Sequence, residues 1–329
     1  MKKILLIFAV LFIISFFIKD DVASIITSNA VYGGKQEENI PSDFGKINLY
    51  FCPKDDCEGV LLDQIRNAET VDCAFFDFNL EEVMTELKEK THRLIIDDQY
   101  YEKVNIDNVR KDTSKGYMHN KFCVLDNSIV LTGSMNPTYN DVNKNNNNFV
   151  VIESKLLAEN YENEFNEMWM GEFGKGENLK YPKIMFNGFL VENLFCPEDN
   201  CEEKVLEILK TARERIYFMT FSFTSDEIGE EIVKNFHYGV DIKGIFDTTQ
   251  AGSQYSEFNK MSELGMNVKK DKNPKNMHHK VFIVDDAVIF GSYNPTDSGN
   301  KRNDENVLVI HNRGIAEQFI KEFDFLWGL

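Results

Sequence analysis

Two stretches, Met118-His119-Asn120-Lys121-Phe122-Cys123-Val124-Leu125-Asp126 and Met277-His278-His279-Lys280-Val281-Phe282-Ile283-Val284-Asp285, repeat one order of side chains: histidine, one residue, lysine, four residues, aspartate. Both read as strands. In extended chain, residues i and i+2 face the same side. His119 and Lys121 therefore share a face, as do His278 and Lys280, while Phe122 with Val124 and Val281 with Ile283 face the other way. Asp126-Asn127 and Asp285-Asp286 are turn-prone pairs, after which residues 129–132 and 288–290 return as a second strand. Each return strand ends in Gly-Ser-x-Asn, namely Gly133-Ser134-Met135-Asn136 and Gly291-Ser292-Tyr293-Asn294. One such three-residue match is expected at a given position on the order of once in ten thousand, so a duplicate is no coincidence.

The duplication extends outward from these stretches. Phe51-Cys52-Pro53 with Cys57 recurs as Phe195-Cys196-Pro197 with Cys201, the strand-like residues 73–78 recur as 216–223, and Asn148-Phe149-Val150 recurs as Asn306-Val307-Leu308. The two tryptophans, Trp169 and Trp327, end matching helical stripes that contain Tyr161, Phe165 and Met168 in one case and Phe319 and Phe323 in the other. These aromatics are core. The polar runs 143–148 and 300–306 are equivalent loops beside the motifs. A glycine-containing polar stretch near Gly174-Lys175-Gly176 marks the join. The expected organisation is α/β: an N-terminal leader at 1–30, a first repeat at 31–175, a linker at 176–188 and a second repeat at 189–329. Neither repeat is complete alone, and no obligate protein partner is needed.

The 54 acidic and 36 basic residues give a net charge of −18. That excludes a protein that coats nucleic acid over its whole surface. Screening confines distant carboxylates to about 10 Å, so a local basic pocket remains compatible. Met1-Lys2-Lys3 precedes an apolar run at residues 4–18, broken only by Ser15. This length lies between that of an export signal and that of a membrane span. The small residues Ser28-Asn29-Ala30 stand far beyond the run, which favours a retained anchor over a cleaved signal. Either way the body is exported, extracellular or anchored in the membrane through this segment. Of six cysteines, Cys52 with Cys57 and Cys196 with Cys201 are natural disulfide partners under oxidising conditions, although spacing does not fix connectivity. Zinc is disfavoured there, because four residues separate each pair and no histidine accompanies them. Cys73 and Cys123 lie in apolar strands and read as buried free thiols.

Together the motifs resemble the phospholipase D superfamily, whose members carry two HxKxxxxD motifs in one chain or one in each subunit of a dimer. The resemblance implies two similar α-β-α halves related by a pseudo-twofold, with one active site at their interface. It also implies phosphodiester exchange without metal or cofactor, through a phosphohistidine. On that likeness His119 is the nucleophile and His278 the general acid, while Lys121, Lys280, Asn136 and Asn294 hold the phosphate oxygens and Ser134 and Ser292 support them. A metal held by the two histidines is disfavoured, since a lysine two residues on repels a cation. The repeats differ at Glu305, whose equivalent is Asn147. Pairing of Glu305 with His119 would support His119 as nucleophile, whereas pairing with His278 would reverse the roles. Asp126 and Asp285 are expected to hold turns. His92, His237, His279 and His311 are expected to be ordinary surface or core residues.

For the substrate, Arg110, Lys111, Lys115, Lys269, Lys270, Lys272 and Lys275 are expected to surround the mouth, and Tyr100, Tyr101, Tyr117 and Tyr255 to offer stacking surfaces. Single-stranded nucleic acid is the favoured substrate. An anionic phospholipid is the alternative, consistent with a membrane anchor, and a catalytically silent phosphate-binding protein is the third reading.

Overall fold

The computed structural model describes residues 39–329, so the leader at 1–30 lies outside the described residues. The first half runs β1 (Ser42–Asp43), β2 (Ile47–Cys52), α1 (Cys57–Asn67), β3 (Thr70–Phe75), α2 (Glu81–Lys88), β4 (Thr91–Ile96), β5 (Val109–Lys111), β6 (Lys121–Leu125), β7 (Ile129–Gly133), α3 (Tyr139–Asn143), β8 (Asn147–Glu153) and α4 (Lys155–Trp169). The second runs β9 (Lys183–Phe186), β10 (Phe189–Cys196), α5 (Cys201–Leu209), β11 (Arg215–Thr220), α6 (Asp226–His237), β12 (Asp241–Phe246), α7 (Glu257–Glu263), β13 (Asn267–Lys270), β14 (Lys280–Val284), β15 (Ala287–Gly291), α8 (Asp297–Lys301), β16 (Glu305–His311) and α9 (Arg313–Gly328).

Each half builds its own sheet in one topology. The first has the order β2-β8-β7-β6-β3-β4-β5 and the second β10-β16-β15-β14-β11-β12-β13, with β9 and β1 added beyond β10. The segment expected as a plain linker thus supplies a strand, β9, which pairs antiparallel with β10 and parallel with β1. The helices α4 and α9 fill the layer between the sheets, each against three strands of its own half. Equivalent caps start them: Ser154 Oγ accepts from Leu157 N at 3.1 Å, and Asn312 Oδ1 from Ile315 N at 3.0 Å. Their buried faces carry Tyr161, Phe165, Phe319 and Phe323 into one core that also takes Phe122 and Phe195 from the sheets. Separate cores lie beneath the outer helices of each half. Among the described residues no helix is long and apolar enough to cross a membrane.

Cys52 and Cys57, and Cys196 and Cys201, form the expected disulfides. A third joins Cys73 and Cys123, which corrects the reading of these two as free thiols. Antiparallel pairing sets Cys73 directly opposite Cys123 on β3 and β6, with their Cα atoms 4.1 Å apart. That juxtaposition depends on strand register and has no local sequence signature.

Candidate active site

The hairpins β6–β7 and β14–β15 carry the motifs. Asp126 and Asp285 adopt positive φ, 50° and 51°, where an aspartate is tolerated better than most residues. The Asp126 carboxylate accepts from Glu69 N and Thr70 N, and Asp285 accepts from Arg213 N, Glu214 N and Arg215 N. Both are turn-holding groups that tie the hairpin to the preceding strand. Gly133 and Gly291 have φ of 140° and 150°, and a Cβ there would lie 2.3 Å from the Asn148 carbonyl oxygen and 2.2 Å from that of Asn306. Glycine is required where these strands meet. The next residues, Ser134 and Ser292, accept from Asn148 N at 3.0 Å and Asn306 N at 2.9 Å, so they brace β8 and β16.

What brings the histidines together is a reciprocal exchange between halves. His119 N donates to Asp304 O at 2.9 Å, and His278 N donates to Asn146 O at 2.8 Å. Short parallel bridges pair Met118 with Asp304 and Met277 with Asn146. Asp97 and Asp112 receive Met118 N, and Asp247 receives Met277 N. Each histidine segment is thereby pinned by its own half and by the loop of the other.

The side chains repeat the exchange with different chemistry. His119 Nδ1 lies 2.7 Å from Glu305 Oε2, while His278 Nδ1 lies 2.9 Å from Asn147 Oδ1, and Ser134 Oγ donates to that same amide oxygen. The His278 ring has a more distant carboxylate, Asp141 Oδ2, at 3.6 Å. Phe76 and Phe221 meet His119 and His278 edge-on, both at 4.9 Å between ring centres. Lys121 Nζ donates to the His119 carbonyl and lies over Phe76, and Lys280 Nζ donates to the His278 carbonyl and lies over Phe221.

Burial dominates the electrostatics. It pushes the His119 imidazole down to about 4, with Lys121 and Lys280 adding to the effect and Glu305 opposing it. His278 is held well below its ordinary value by burial and then by Lys280, Lys121 and His119. Burial lowers Lys121 to about 8 and Lys280 well below the usual lysine range. The site therefore disfavours added positive charge and would gain from a bound anion.

Asn136 and Asn294 hold equivalent places just beyond the two hairpins. Asn136 N and Nδ2 donate to Asp141 Oδ2 at 2.7 and 2.8 Å, leaving one Nδ2 hydrogen uncommitted. Buried Oδ1 atoms of Asn136 and Asn294 have no partner among the described residues. Asp141, which also receives Asn145 Nδ2 at 2.5 Å, escaped the sequence reading. A signal existed: Asp141 stands where the second repeat has Gly299, counting from the shared Asn-Pro-Thr. His279 belongs to the core, with Nδ1 3.1 Å from Asn148 Nδ2, and His311 Nε2 lies 2.9 Å from Glu192.

The mouth differs from expectation. Lys269 and Lys272 donate to carbonyls of Trp327 and Leu329, Lys270 lies over Phe258, Arg110 donates to the Trp169 carbonyl and Lys111 pairs with Asp98. Charge density in the sequence did not reveal that these cations cover helix ends and strand edges. Tyr255 lines a groove with Asp226 and Leu264, and Tyr101 packs against the outer core of the first half. Exposed cations near the exchanged loops are Lys115, Lys144, Lys275 and Arg302. Tyr100 and Tyr117 both pack on Phe76, the ring beside His119.

A family model described as cardiolipin synthase, PLD-like domain, matches residues 81–169 and 205–327, and each segment contains one motif. The chain belongs to the phospholipase D superfamily. It is 30% identical over 143 residues to a mitochondrial cardiolipin hydrolase of Chlamydomonas reinhardtii, covering 41% of this chain and 64% of that protein. A phospholipase D of Rickettsia bellii is 30% identical over 134 residues, 40% of this chain and 67% of its own length. Among solved structures, the phosphatidylserine synthase of Haemophilus influenzae shares the fold, with a TM-score of 0.66 and 14% identity over 87% of this chain and 88% of that one.

Proposed function

We propose that this protein is a phosphodiesterase that cleaves a nucleic-acid strand through a phosphohistidine on His119, with no metal in the chemical step. The observation that carries the reading is the unequal pairing of the two imidazoles: Glu305 on His119 and Asn147 on His278. A carboxylate on Nδ1 keeps the proton there, leaves the Nε2 lone pair for phosphorus and stabilises the cation formed when that nitrogen is phosphorylated. A neutral amide oxygen on the other Nδ1 orients His278 but stabilises its protonated form less, which suits a group that must release a proton.

The steps balance. His119 Nε2 bonds to phosphorus as the bond to the leaving oxygen breaks, and His278 gives that oxygen its Nε2 proton. Water then attacks phosphorus, His278 takes the water proton, and the bond to His119 breaks. Lys121, Lys280, Asn136 and Asn294 face the non-bridging oxygens, and the anionic diester itself favours protonation of His278.

Lys115, Lys144, Lys275 and Arg302 around the exchanged loops, with Tyr100 and Tyr117 near His119, favour a strand with repeated phosphates and stackable bases. A phospholipid is the second reading, favoured by the names of the relatives in Chlamydomonas and Rickettsia. Three disulfides support an exported body, and the apolar run at residues 4–18 supports a leader or anchor.

The test incubates the full chain with end-labelled single-stranded DNA, RNA, and vesicles of phosphatidylcholine or cardiolipin, beside His119→Ala and His278→Ala. Strand cleavage lost in both variants is expected, with the covalent phosphate, trapped in detergent at alkaline pH where a phosphohistidine survives, mapping to residue 119. A label on residue 278 would reverse the roles, and turnover of vesicles alone would replace the substrate.

A further inference from the structure

Away from the motifs, a groove of about 870 Å³ lies between α4, residues 175–180 and the loop that Cys196–Cys201 closes. Glu164 and Glu167 sit three apart on α4 and so share a side of the helix, and Glu198 comes from the loop of the second half. One carboxylate oxygen from each lies within 4.8 Å of the others. Glu164 lines the groove yet is only 6% exposed, and among the described residues neither a hydrogen-bond donor nor a cation reaches its carboxylate. Its electrostatic neighbours are Glu198, Asp304, Glu167 and Asp199, all acidic. Glu198 Oε2 is buried and likewise without a partner. The lysines lining the groove are engaged elsewhere, Lys175 with Glu172 and Lys180 with Glu159.

A buried carboxylate beside two half-buried ones, with no counter-charge among them, is costly and must take up either a proton or a cation. The linker backbone packs against Glu167. Glu177 N donates to Glu167 Oε1 at 3.0 Å, and Gly176 passes so close that a Cβ would lie 2.1 Å from Glu167 Oε2. Among the described residues that oxygen accepts no hydrogen bond.

We propose that Glu164, Glu167 and Glu198 bind one calcium ion that clamps the central helix of the first half to the cystine loop of the second. The donors are hard oxygens. Ca²⁺ accepts about six to eight oxygen ligands in flexible geometry, carboxylates and waters among them, whereas Mg²⁺ at about 2.1 Å demands a near-ideal octahedron and is usually held by only one or two carboxylates. The open side of the groove admits the waters that complete the coordination. This ion takes no part in the phosphodiester step, and the assignment stands whatever substrate the motifs cleave.

The test is calorimetric titration of the full chain, stripped with EGTA, with CaCl₂ and separately MgCl₂ at pH 7.5, with melting temperature measured in parallel. Expected are one calcium per chain, Mg²⁺ at least 10-fold weaker, and a melting temperature several degrees higher with calcium. Glu164→Gln and Glu198→Gln should remove both the binding heat and the calcium-dependent rise. Each should melt no lower than wild type in EGTA, because the substitution removes a like charge without changing shape. Absence of binding at 10 mM CaCl₂, showing that the cluster holds protons instead, overturns the proposal, as does calcium binding that survives both substitutions. Phosphodiester cleavage by Glu164→Gln in EGTA separates this site from the proposed chemistry.

Discussion

Glu305 and Asn147 occupy equivalent places in the two repeats and differ by one charge, which makes them the most informative pair of side chains in the molecule. Glu305→Gln preserves a hydrogen-bonding oxygen while removing the charge that, in the proposed mechanism, supports the phosphorylated His119 ring. We expect kcat to fall by roughly 10²- to 10⁴-fold, the scale seen when a histidine's supporting carboxylate is neutralised, with KM little changed. Asn147→Asp places a full carboxylate on His278, whose proton affinity is held low by burial and by the lysines. Its proton should then be retained to higher pH. In a profile of kcat/KM against pH, the limb set by the general acid should move towards alkaline pH, and an unchanged limb would assign that role to another group. The sequence shows the Glu305–Asn147 difference plainly. It does not show which imidazole each reaches, because both partners come from the opposite half.

At the scale of elements, the turns and disulfides separate what folds the protein from what reacts. Asp126 holds the β6–β7 turn through backbone donors of Glu69 and Thr70. Asp126→Ala should cost roughly 0.5–1.5 kcal/mol by removing the acceptor from donors that water can then reach, while Asp126→Asn keeps an acceptor and should cost less. Denaturant midpoints measure both, and kcat of the folded enzyme should not change. The disulfides differ in the span they close: 50 residues for Cys73–Cys123 against 5 for Cys52–Cys57. On loop entropy alone, replacing the first pair should cost about 4 kcal/mol and the second about 2 kcal/mol. Equal losses in urea titrations would mean that packing, not chain entropy, governs. The short loops were legible because their cysteines are neighbours in the chain, whereas the longer bridge arises from strand register alone.

For the whole molecule, acid stability follows from burying the histidines at the join. His119 titrates near pH 4 when folded and near about 6.5 when unfolded. Between those values the unfolded chain binds more protons, so the stability this group contributes above pH 6.5 is lost as pH falls towards 4. Urea midpoints of the wild type should drop from pH 7 to pH 5, and His119→Gln should drop less over that interval. An equal drop in both would place the acid sensitivity elsewhere. By itself the sequence determined the duplication, the α/β character, the paired His-Lys motifs, the turn-holding aspartates and the two short cystine loops. All of these are local patterns or exact repeats, carried by spacings that strand and turn geometry translate directly. Tertiary structure decided the partner of each imidazole, the Cys73–Cys123 bridge, the role of Asp141 and the destination of the lysines expected at the mouth. Each of those depends on which segments distant in the chain come within a few ångströms, and hydrophobic periodicity constrains the faces of elements without naming the neighbours that meet them.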